Sequence, residues 1–480
     1  MIMHKIFYLG NIAFITHIFM MNIKNFFIKN LLQCFIVLML PVYTIAQQST
    51  TSKPNIVIIM ADDLDSRQLS CYGGQNLETV NIDRLASEGM KFNTIICSEA
   101  MCVPTRASLF TGLYPARHGA YQNHKQVYNN LKSVVHYLND AGYRVGLSGK
   151  DHVTKPVSIF PFDIIPGFEP NCVSATDDYF LDSIKQYIQK PSPFCLFVMS
   201  INPHAPWTVG DPSEFNPAKL KLPLHWVDTD STRAQFCKYL AEVRRLDNQV
   251  GDVVKLLQET GADKNTIVIF LGEQGPQFPG GKWTLYDNGQ KSSMIVRWPG
   301  VVKPNSETDA IVQYEDITPT LIDIVGGNAV AGLDGKSFKE VLLGNKKEFR
   351  DVAYGIHNNI PEGPPYPVRS IRDHKYKFIL NLTPDSTYKI KYMMDMAPNH
   401  AWTTWIAKAA TDDHDAALVN RIAHRPSKEF YDVVNDPYEL NNLATQPKYA
   451  ALIKKYEDKL LAWMKQQNDK GASMDVPIKE

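Results

Sequence analysis

Four apolar segments decide which architectures this chain can adopt. Residues 55–60, 194–200 and 266–271 are nearly continuous apolar runs, and residues 144–147 form a shorter segment of the same kind. Continuous runs are typical of strands buried on both faces of a parallel sheet, whereas strands with one solvent face alternate. Helical segments separate the runs. The sequence therefore predicts an α/β fold with a large, mostly parallel or mixed sheet flanked by helices.

Polar side chains follow each of these predicted strands at the point where the strand ends. In chain order they are Asp62 and Asp63, Lys150 and His152, His204, and Glu273 and Gln274. The carboxyl ends of parallel strands meet at one edge of a sheet, where ligands of α/β proteins bind. Two adjacent carboxylates repel each other and favour a cation between them. Taken singly, each of these groups is equally a solvated turn or surface residue.

The remaining pattern predicts further helices and a second, smaller unit. The helical segments are residues 79–89, 130–141, 178–189, 233–261, 316–325 and 449–467. From about residue 350 the texture changes, and residues 369–381 have a strand–turn–strand pattern. A chain of 480 residues can form one large domain with an appendage. We therefore predict a main domain at residues 52–350 and a C-terminal α+β subdomain at residues 351–480.

The segment at residues 98–112 combines a helix start with chemically active side chains. Pro104 fixes φ for the first turn of a helix, and Gly112 can end it. Cys102 is then expected just before a helix N-terminus, where backbone N–H groups favour negative charge and acidify a thiol. Arg106 adds a cation that suits an oxyanion. The alternative is a buried cysteine beside a helix cap.

Charge and cysteine content restrict the classes of function. The chain has 50 basic and 50 acidic side chains, so it has no broad field for nucleic acid or anionic lipid. We predict no nucleic-acid partner and only local recognition of anions. Without Cys34 in the leader and Cys102, five of the 7 cysteines remain (7 − 2 = 5). An odd number argues against a full disulfide framework, although one bridge can form.

The N-terminus has the character of a targeting segment. Residues 31–46 form an apolar run with one Gln and follow two lysines, and Ala46 offers a small residue for cleavage. The run is shorter than the ~20 residues that a membrane span requires, which favours a cleaved signal over a retained anchor. We predict a signal peptide at residues 1–46, with the true start at Met20 or Met21. The mature chain would be periplasmic or secreted from a bacterial envelope, without stable membrane association.

The motif Cys102-x-Pro104-x-Arg106, followed by Ala-Ser-Leu-Phe-Thr-Gly, resembles the signature of the type I, formylglycine-dependent sulfatases of the alkaline-phosphatase superfamily. The resemblance covers almost the whole mature chain and implies an alkaline-phosphatase-like sandwich, with residues 52–350 as the catalytic domain. In that family a maturation enzyme oxidises the cysteine to formylglycine, whose hydrate carries two hydroxyl groups on one carbon. The nucleophile at position 102 would then be an oxygen, and thiol acidity would no longer matter.

The resemblance also assigns the polar residues. The ligands of one Ca²⁺ would be Asp62, Asp63, Cys102 in its modified form, Glu273 and Gln274. The catalytic residues would be Cys102, Arg106, Lys150, His152, His204 and Lys282.

Individual roles follow from the same resemblance. The metal and Arg106 would activate the nucleophile, and Lys150 and Lys282 would offset charge on the sulfuryl oxygens. His204 would protonate the leaving oxygen or nitrogen, and His152 would take the proton of the second hydroxyl group.

Glu273 and Gln274 depart from the family pattern, which usually has Asp followed by Asn or His. Each side chain is one methylene longer but keeps its oxygen type, so both still suit a hard cation. Within the family, the heparan N-sulfatases (N-sulfoglucosamine sulfohydrolases) show the closest likeness. They are similar in the loop at 275–282, in the Phe-Pro-Phe-Asp at 160–163 and in the tail at 375–463.

The function implied is an exported sulfatase that acts on a sulfated glycan and resembles a heparan N-sulfatase. Three alternatives stay open: an O-sulfatase acting on glycosaminoglycan, mucin or algal saccharide, a phosphoesterase of the same superfamily, and a homologue that binds glycan without cleaving it. His357, Tyr366 and Arg369 follow a strand near the subdomain junction and are candidates to contact sugar. They can equally be surface or packing residues.

Overall fold

The computed structural model of the chain describes residues 53–398 and 400–477. The predicted signal peptide at residues 1–46 and the start sites Met20 and Met21 lie outside the described residues. The described residues belong to one compact unit. Within it, no helix combines the length and the apolar character needed to cross a membrane.

The large sheet has nine strands among the described residues. Its strands are β1 (Asn55–Met60), β2 (Met90–Ile96), β3 (Arg144–Gly149), β4 (Asp163–Ile164), β5 (Phe194–Met199), β6 (Thr266–Leu271), β7 (Lys291–Arg297), β8 (Ser306–Thr308) and β9 (Val312–Gln313). Their order is β4-β3-β5-β1-β6-β7-β2-β8, with β9 also paired to β2. The four strands predicted from their apolar runs are therefore neighbours at the centre of the sheet.

The pairing directions explain why the carboxyl ends meet. Strands β3, β5, β1 and β6 are parallel to one another. β7 is antiparallel to β6, and β2 is antiparallel to β7, so β2 again runs in the direction of β1. The prediction of a mostly parallel sheet is confirmed, and the strand that leads into the Cys102 segment also ends at the shared edge.

Both faces of the sheet are buried, as the apolar runs predict. Along β1, Ile56, Ile58 and Met60 pack in the core on one face, whereas Val57 and Ile59 pack in the core on the other. This alternation is the period of two expected of a strand covered on both sides. The sheet is therefore the middle layer between two hydrophobic cores, as the predicted sandwich requires.

Thirteen α-helices lie within the described residues, and several of them cover the faces of the large sheet. They are α1 (Val80–Ser87), α2 (Cys102–Thr111), α3 (Pro115–His118), α4 (Val134–Asp140), α5 (Asp182–Ile188), α6 (Asp230–Glu259), α7 (Asp287–Gln290), α8 (Ile317–Ile324), α9 (Lys339–Leu342), α10 (Lys391–Met394), α11 (Ala401–Ala409), α12 (Asp413–Ala423) and α13 (Ala450–Gln466). Most predicted helices are present with ends that differ by a few residues. The prediction missed α11 and α12.

A four-stranded antiparallel sheet follows the large one. Its strands are β10 (Ala353–His357), β11 (Val368–Arg372), β12 (Tyr376–Asn381) and β13 (Lys428–Asp432). One face packs against α13 through Ile371, Phe378 and Leu460. Ile379 and Tyr431, on the other face, join the same hydrophobic core as α6. The change of texture near residue 350 therefore marks the passage from one sheet to the other, and the two sheets share a core.

Candidate active site

The polar residues predicted at the strand ends meet at one edge of the large sheet. Asp62 and Asp63 follow β1, Lys150 follows β3, and Glu273 and Gln274 follow β6. All five are at most 1 % exposed. A set of charged side chains is stable at such burial only when each is paired or bound to an ion.

Helix α2 presents Cys102 to this cluster. The helix begins at Cys102 itself and ends before Gly112, whose φ is 70°. Pro104 is tolerated because it lies in the first turn, where a backbone N–H has no partner within the helix. The Sγ of Cys102 is 3.6 Å from Asp62 Oδ1 and 3.3 Å from Gln274 Nε2. The predicted nucleophile position and the predicted metal ligands therefore form one site.

The oxygen and sulfur atoms of this cluster lie close enough together to hold one metal ion. One ligand atom from each of Asp62, Asp63, Cys102 and Glu273 lies within 4.8 Å of the others. Gln274 adds an amide oxygen, Oε1, that is buried and has no hydrogen-bond partner among the described residues. Carboxylate and amide oxygens are the donors that hard cations such as Ca²⁺ prefer. The residues present therefore fit a divalent metal ion.

Two of these acidic residues have unusual backbone conformations. Asp63 has φ of 62° and Glu273 has φ of 69°, in the left-handed region that side chains other than glycine and asparagine rarely adopt. The Glu273 backbone N–H is held by the Tyr314 hydroxyl at 2.8 Å, and that hydroxyl also bonds Ser292 at 2.9 Å. Such conformations persist where the surroundings fix them and are frequent at functional sites. A carboxylate oxygen of each residue lies within 4.8 Å of the Cys102 sulfur.

Three cationic side chains balance the three carboxylates. Lys150 pairs with Asp62, Lys282 Nζ is 2.7 Å from Asp63 Oδ2, and Arg106 Nε is 2.6 Å from Glu273 Oε1. The formal charge of these six groups is zero. A bound divalent ion would raise it to plus two, which is equal in size and opposite in sign to the charge of inorganic sulfate.

The pKa values of the acidic groups differ because their partners differ. Burial opposes ionisation of Asp62, but Lys150 and then His204 hold its pKa well below the usual value. Burial raises the pKa of Glu273 well above its usual value, and Arg106 only partly offsets this. The two carboxylates therefore have different tendencies to ionise within one cluster.

The thiol of Cys102 does not have the acidity expected at a helix N-terminus. Burial raises its pKa, the cations Lys150 and Lys282 lower it, and Glu273 and Asp62 raise it again. The expectation of an acidic thiol is therefore wrong, because desolvation outweighs the helix terminus and the two lysines.

The two predicted histidines have different surroundings. His204 Nε2 is 3.5 Å from Asp63 Oδ2, and burial followed by the charge of Lys282 lowers the pKa of His204 to about 4. Burial and then Lys150 lower the pKa of His152 to about 2. Its Nε2 contacts Cys172 Sγ at 3.4 Å. Sequence reasoning missed Cys172, because nothing in a lone cysteine of a loop indicates that contact.

The three candidate sugar contacts have structural surroundings. His357, Tyr366 and Arg369 are 0 %, 1 % and 0 % exposed. Arg369 forms a buried ion pair with Asp469, with Nη2 2.8 Å from Oδ1, and it donates to the His357 carbonyl at 3.0 Å. The ion pair accounts for Arg369, which we no longer expect to contact sugar. The His357 Nδ1 and the Tyr366 hydroxyl have no hydrogen-bond partner among the described residues, and sugar contact by these two residues stays a prediction.

The six cysteines of the described residues are all unpaired. The one disulfide bridge that the sequence allowed is therefore not formed among the described residues, 53–398 and 400–477.

Comparison with known proteins identifies the family of the chain. A family profile described as Sulfatase matches residues 54–327, and a second, described as N-sulphoglucosamine sulphohydrolase, C-terminal, matches residues 280–401. An ulvan-active sulfatase of Formosa agariphila is 32 % identical over 87 % of this chain and 81 % of its own length. The human N-sulphoglucosamine sulphohydrolase is 26 % identical over 86 % of this chain and 90 % of its own.

A solved structure shows the same fold. A protein determined in complex with its substrate D-glucosamine-2-N,6-O-disulfate superposes with a TM-score of 0.69, at 21 % identity, over 87 % of this chain and 99 % of that one. The first family profile covers more than half of this chain, and the two named relatives are similar over most of their length. The chain belongs to the sulfatase family and has the alkaline-phosphatase-like fold of its members.

Proposed function

We propose that this chain is an exported, calcium-dependent sulfatase that removes sulfate from a sulfated glycan through a formylglycine made from Cys102. One observation carries the proposal. Side chains from five separate strand ends and loops, between residues 62 and 282, surround a single buried cysteine at the start of a helix. The family assignment makes sulfate ester hydrolysis the chemistry that this arrangement serves.

Formylglycine explains why a cysteine with a raised thiol pKa occupies the nucleophile position. Its hydrate would supply a nucleophilic hydroxyl together with a second hydroxyl that allows the sulfated product to break down. The modification requires a maturation enzyme as partner. Mass spectrometry of the peptide that contains residues 101–106, from a host that carries such an enzyme, tests for it directly.

The other residues have roles that follow from charge and position. Lys150 and Lys282 are cations at the carboxylate cluster, and they would bind the sulfuryl oxygens as negative charge develops there. Arg106 pairs with Glu273 and would hold that carboxylate in place for the metal. His204 lies beside Asp63 and would donate a proton to the leaving oxygen or nitrogen. When bound, Ca²⁺ would be held by Asp62, Asp63, Glu273 and Gln274 and would supply positive charge to the sulfate group.

N-sulfated glucosamine is the first substrate class that we propose. The match of residues 280–401 to the C-terminal profile of N-sulphoglucosamine sulphohydrolases favours it. The similarity to an ulvan-active sulfatase supports an O-sulfated algal saccharide as the second candidate. Release of free sulfate from N-sulfoglucosamine, from O-sulfated monosaccharides and from ulvan oligosaccharides separates the two. Aryl phosphate is the control, and turnover of it in preference to aryl sulfate contradicts the proposal.

Metal binding can be measured without turnover. We expect Ca²⁺ to raise the melting temperature of chelator-treated protein, because an ion bound only by the folded state adds about 2.7 kcal/mol at roughly 100 times Kd. Asp63→Asn removes one carboxylate of the cluster and should abolish most of this shift. Asp140→Asn changes an exposed aspartate of α4 and should retain it. An equal shift in both variants means that the ion binds elsewhere.

The role of His204 can be tested by changing the leaving group. We expect His204→Ala to lower kcat by about 10²- to 10⁴-fold on saccharide sulfates, whose leaving groups need a proton. The loss on 4-nitrophenyl sulfate should be much smaller, because nitrophenolate leaves without protonation. A uniform loss on both substrates indicates that His204 has a different role. Steady-state rates on the two substrates decide between these outcomes.

A further inference from the structure

A thiol that the expected mechanism does not use lies against one of its histidines. Cys172 is 7 % exposed, and its Sγ is 3.4 Å from Nε2 of His152. The other ring nitrogen, Nδ1, is buried and has no hydrogen-bond partner among the residues that the structure describes. The contact with sulfur therefore engages one nitrogen and leaves the second free.

A second ring contacts His152 from a different loop. The ring centroids of His124 and His152 are 6.3 Å apart, at an interplanar angle of 61°. His124 is exposed and has φ of 65°, in the left-handed region of the backbone map. The His152 ring is therefore contacted by His124 from the loop before β3 and by Cys172 from the chain after β3. These contacts fix the position of its ring.

The charge state of both groups is set by burial. Burial lowers the pKa of His152, and Lys150 lowers it further, so the ring is neutral at neutral pH. Burial raises the pKa of the Cys172 thiol, which is therefore uncharged. In a neutral imidazole one nitrogen carries the proton and the other accepts one, and the hydrogen bond made by one nitrogen decides which is which.

We propose that Cys172 is a positioning residue: its sulfur accepts the Nε2–H of His152 and keeps Nδ1 unprotonated as the base of the reaction. The inference rests on the proposed function. In the step concerned, the second hydroxyl group of the hydrate at position 102 would give up its proton. Its O–H bond would break, and the electron pair of that bond would stay on the oxygen. The proton forms an N–H bond at Nδ1, and the ring gains one positive charge. Solvent then takes the proton from the ring.

The first test is a double-mutant cycle on an aryl sulfate. We expect Cys172→Ala to lower kcat about 10- to 100-fold, as loss of an orienting partner does, with KM unchanged because Lys150 and Lys282 remain. Cys172→Ser should restore most of the rate, since its hydroxyl can accept the same hydrogen bond. In a His152→Gln background, Cys172→Ala should cost nothing further. An equal loss in both backgrounds overturns the proposal.

The second test observes the ring itself. With ¹⁵N-labelled histidine, and His152→Gln to assign the signals, the wild type should show one neutral tautomer with Nε2 protonated and Nδ1 bare. In Cys172→Ala the two nitrogen shifts should move toward each other as the tautomers mix. Unchanged shifts in that variant, or a protonated Nδ1 in the wild type, overturn the proposal. The measurement needs no turnover, so a wild type that releases no sulfate defeats the proposed function without deciding this contact.

Discussion

Replacing Cys102 by serine or alanine should abolish multiple turnover of sulfate esters. Loss of the nucleophile in a hydrolase costs on the order of 10⁶-fold in kcat. A serine would keep an oxygen at this position, but it has no second hydroxyl group through which a sulfated enzyme can release its product. We therefore expect Cys102→Ser to show at most a single turnover and Cys102→Ala none. Sulfate release over many equivalents of enzyme is the measurement.

The matched control is Cys71→Ser. Cys71 is a half-buried thiol whose electrostatic neighbours are Asp83 and Lys91, neither of which is a residue of the candidate site. The Cys71→Ser variant should retain wild-type turnover. Sustained turnover by either Cys102 variant would show that the chain does not use a formylglycine nucleophile, whatever the other residues do.

Replacing Arg369 by methionine should destabilise the protein by about 3–5 kcal/mol without changing substrate recognition. Both side chains of the Arg369–Asp469 pair are fully buried, so the variant leaves an aspartate charge in the core without a partner. The carbonyl of His357 also loses its donor. Urea titration gives the free energy of unfolding, and KM for aryl and saccharide sulfates is measured well below the melting temperature.

Arg244→Met provides the comparison for this second prediction. Arg244 and Glu214 are 33 % and 50 % exposed and 3.7 Å apart, so that pair should contribute no more than about 1 kcal/mol. If Arg369→Met keeps wild-type stability and has a raised KM for saccharide, then Arg369 contacts the substrate and the prediction is wrong. Equal destabilisation by both variants would mean that burial does not set the cost.

Features that depend on local pattern were predictable from the sequence. The apolar runs of β1, β5 and β6 identify buried strands, and parallel pairing places the residues after them together. Strand β2 was missed because Lys91 and Asn93 interrupt its apolar residues, and only pairing with β7 shows that it belongs to the sheet.

Features that depend on distant partners were not predictable. Arg369 and Asp469 are 100 residues apart in the chain, so nothing near Arg369 indicates that its charge is neutralised in the core. The contact of Cys172 with His152 joins two loops. The thiol pKa of Cys102 was predicted in the wrong direction, because a local argument includes the helix terminus and omits the desolvation that the surrounding fold imposes.

The burial of helix α2 restricts when its cysteine can be modified. All ten residues from Cys102 to Thr111 are buried, and Cys102 is 1 % exposed. An enzyme that oxidises this thiol must grasp the surrounding peptide, and the folded chain offers no such access. Under the proposed function, conversion of Cys102 to formylglycine would therefore have to take place on the nascent or unfolded polypeptide. The supply of modifying enzyme before folding would then set the fraction of the protein that is active.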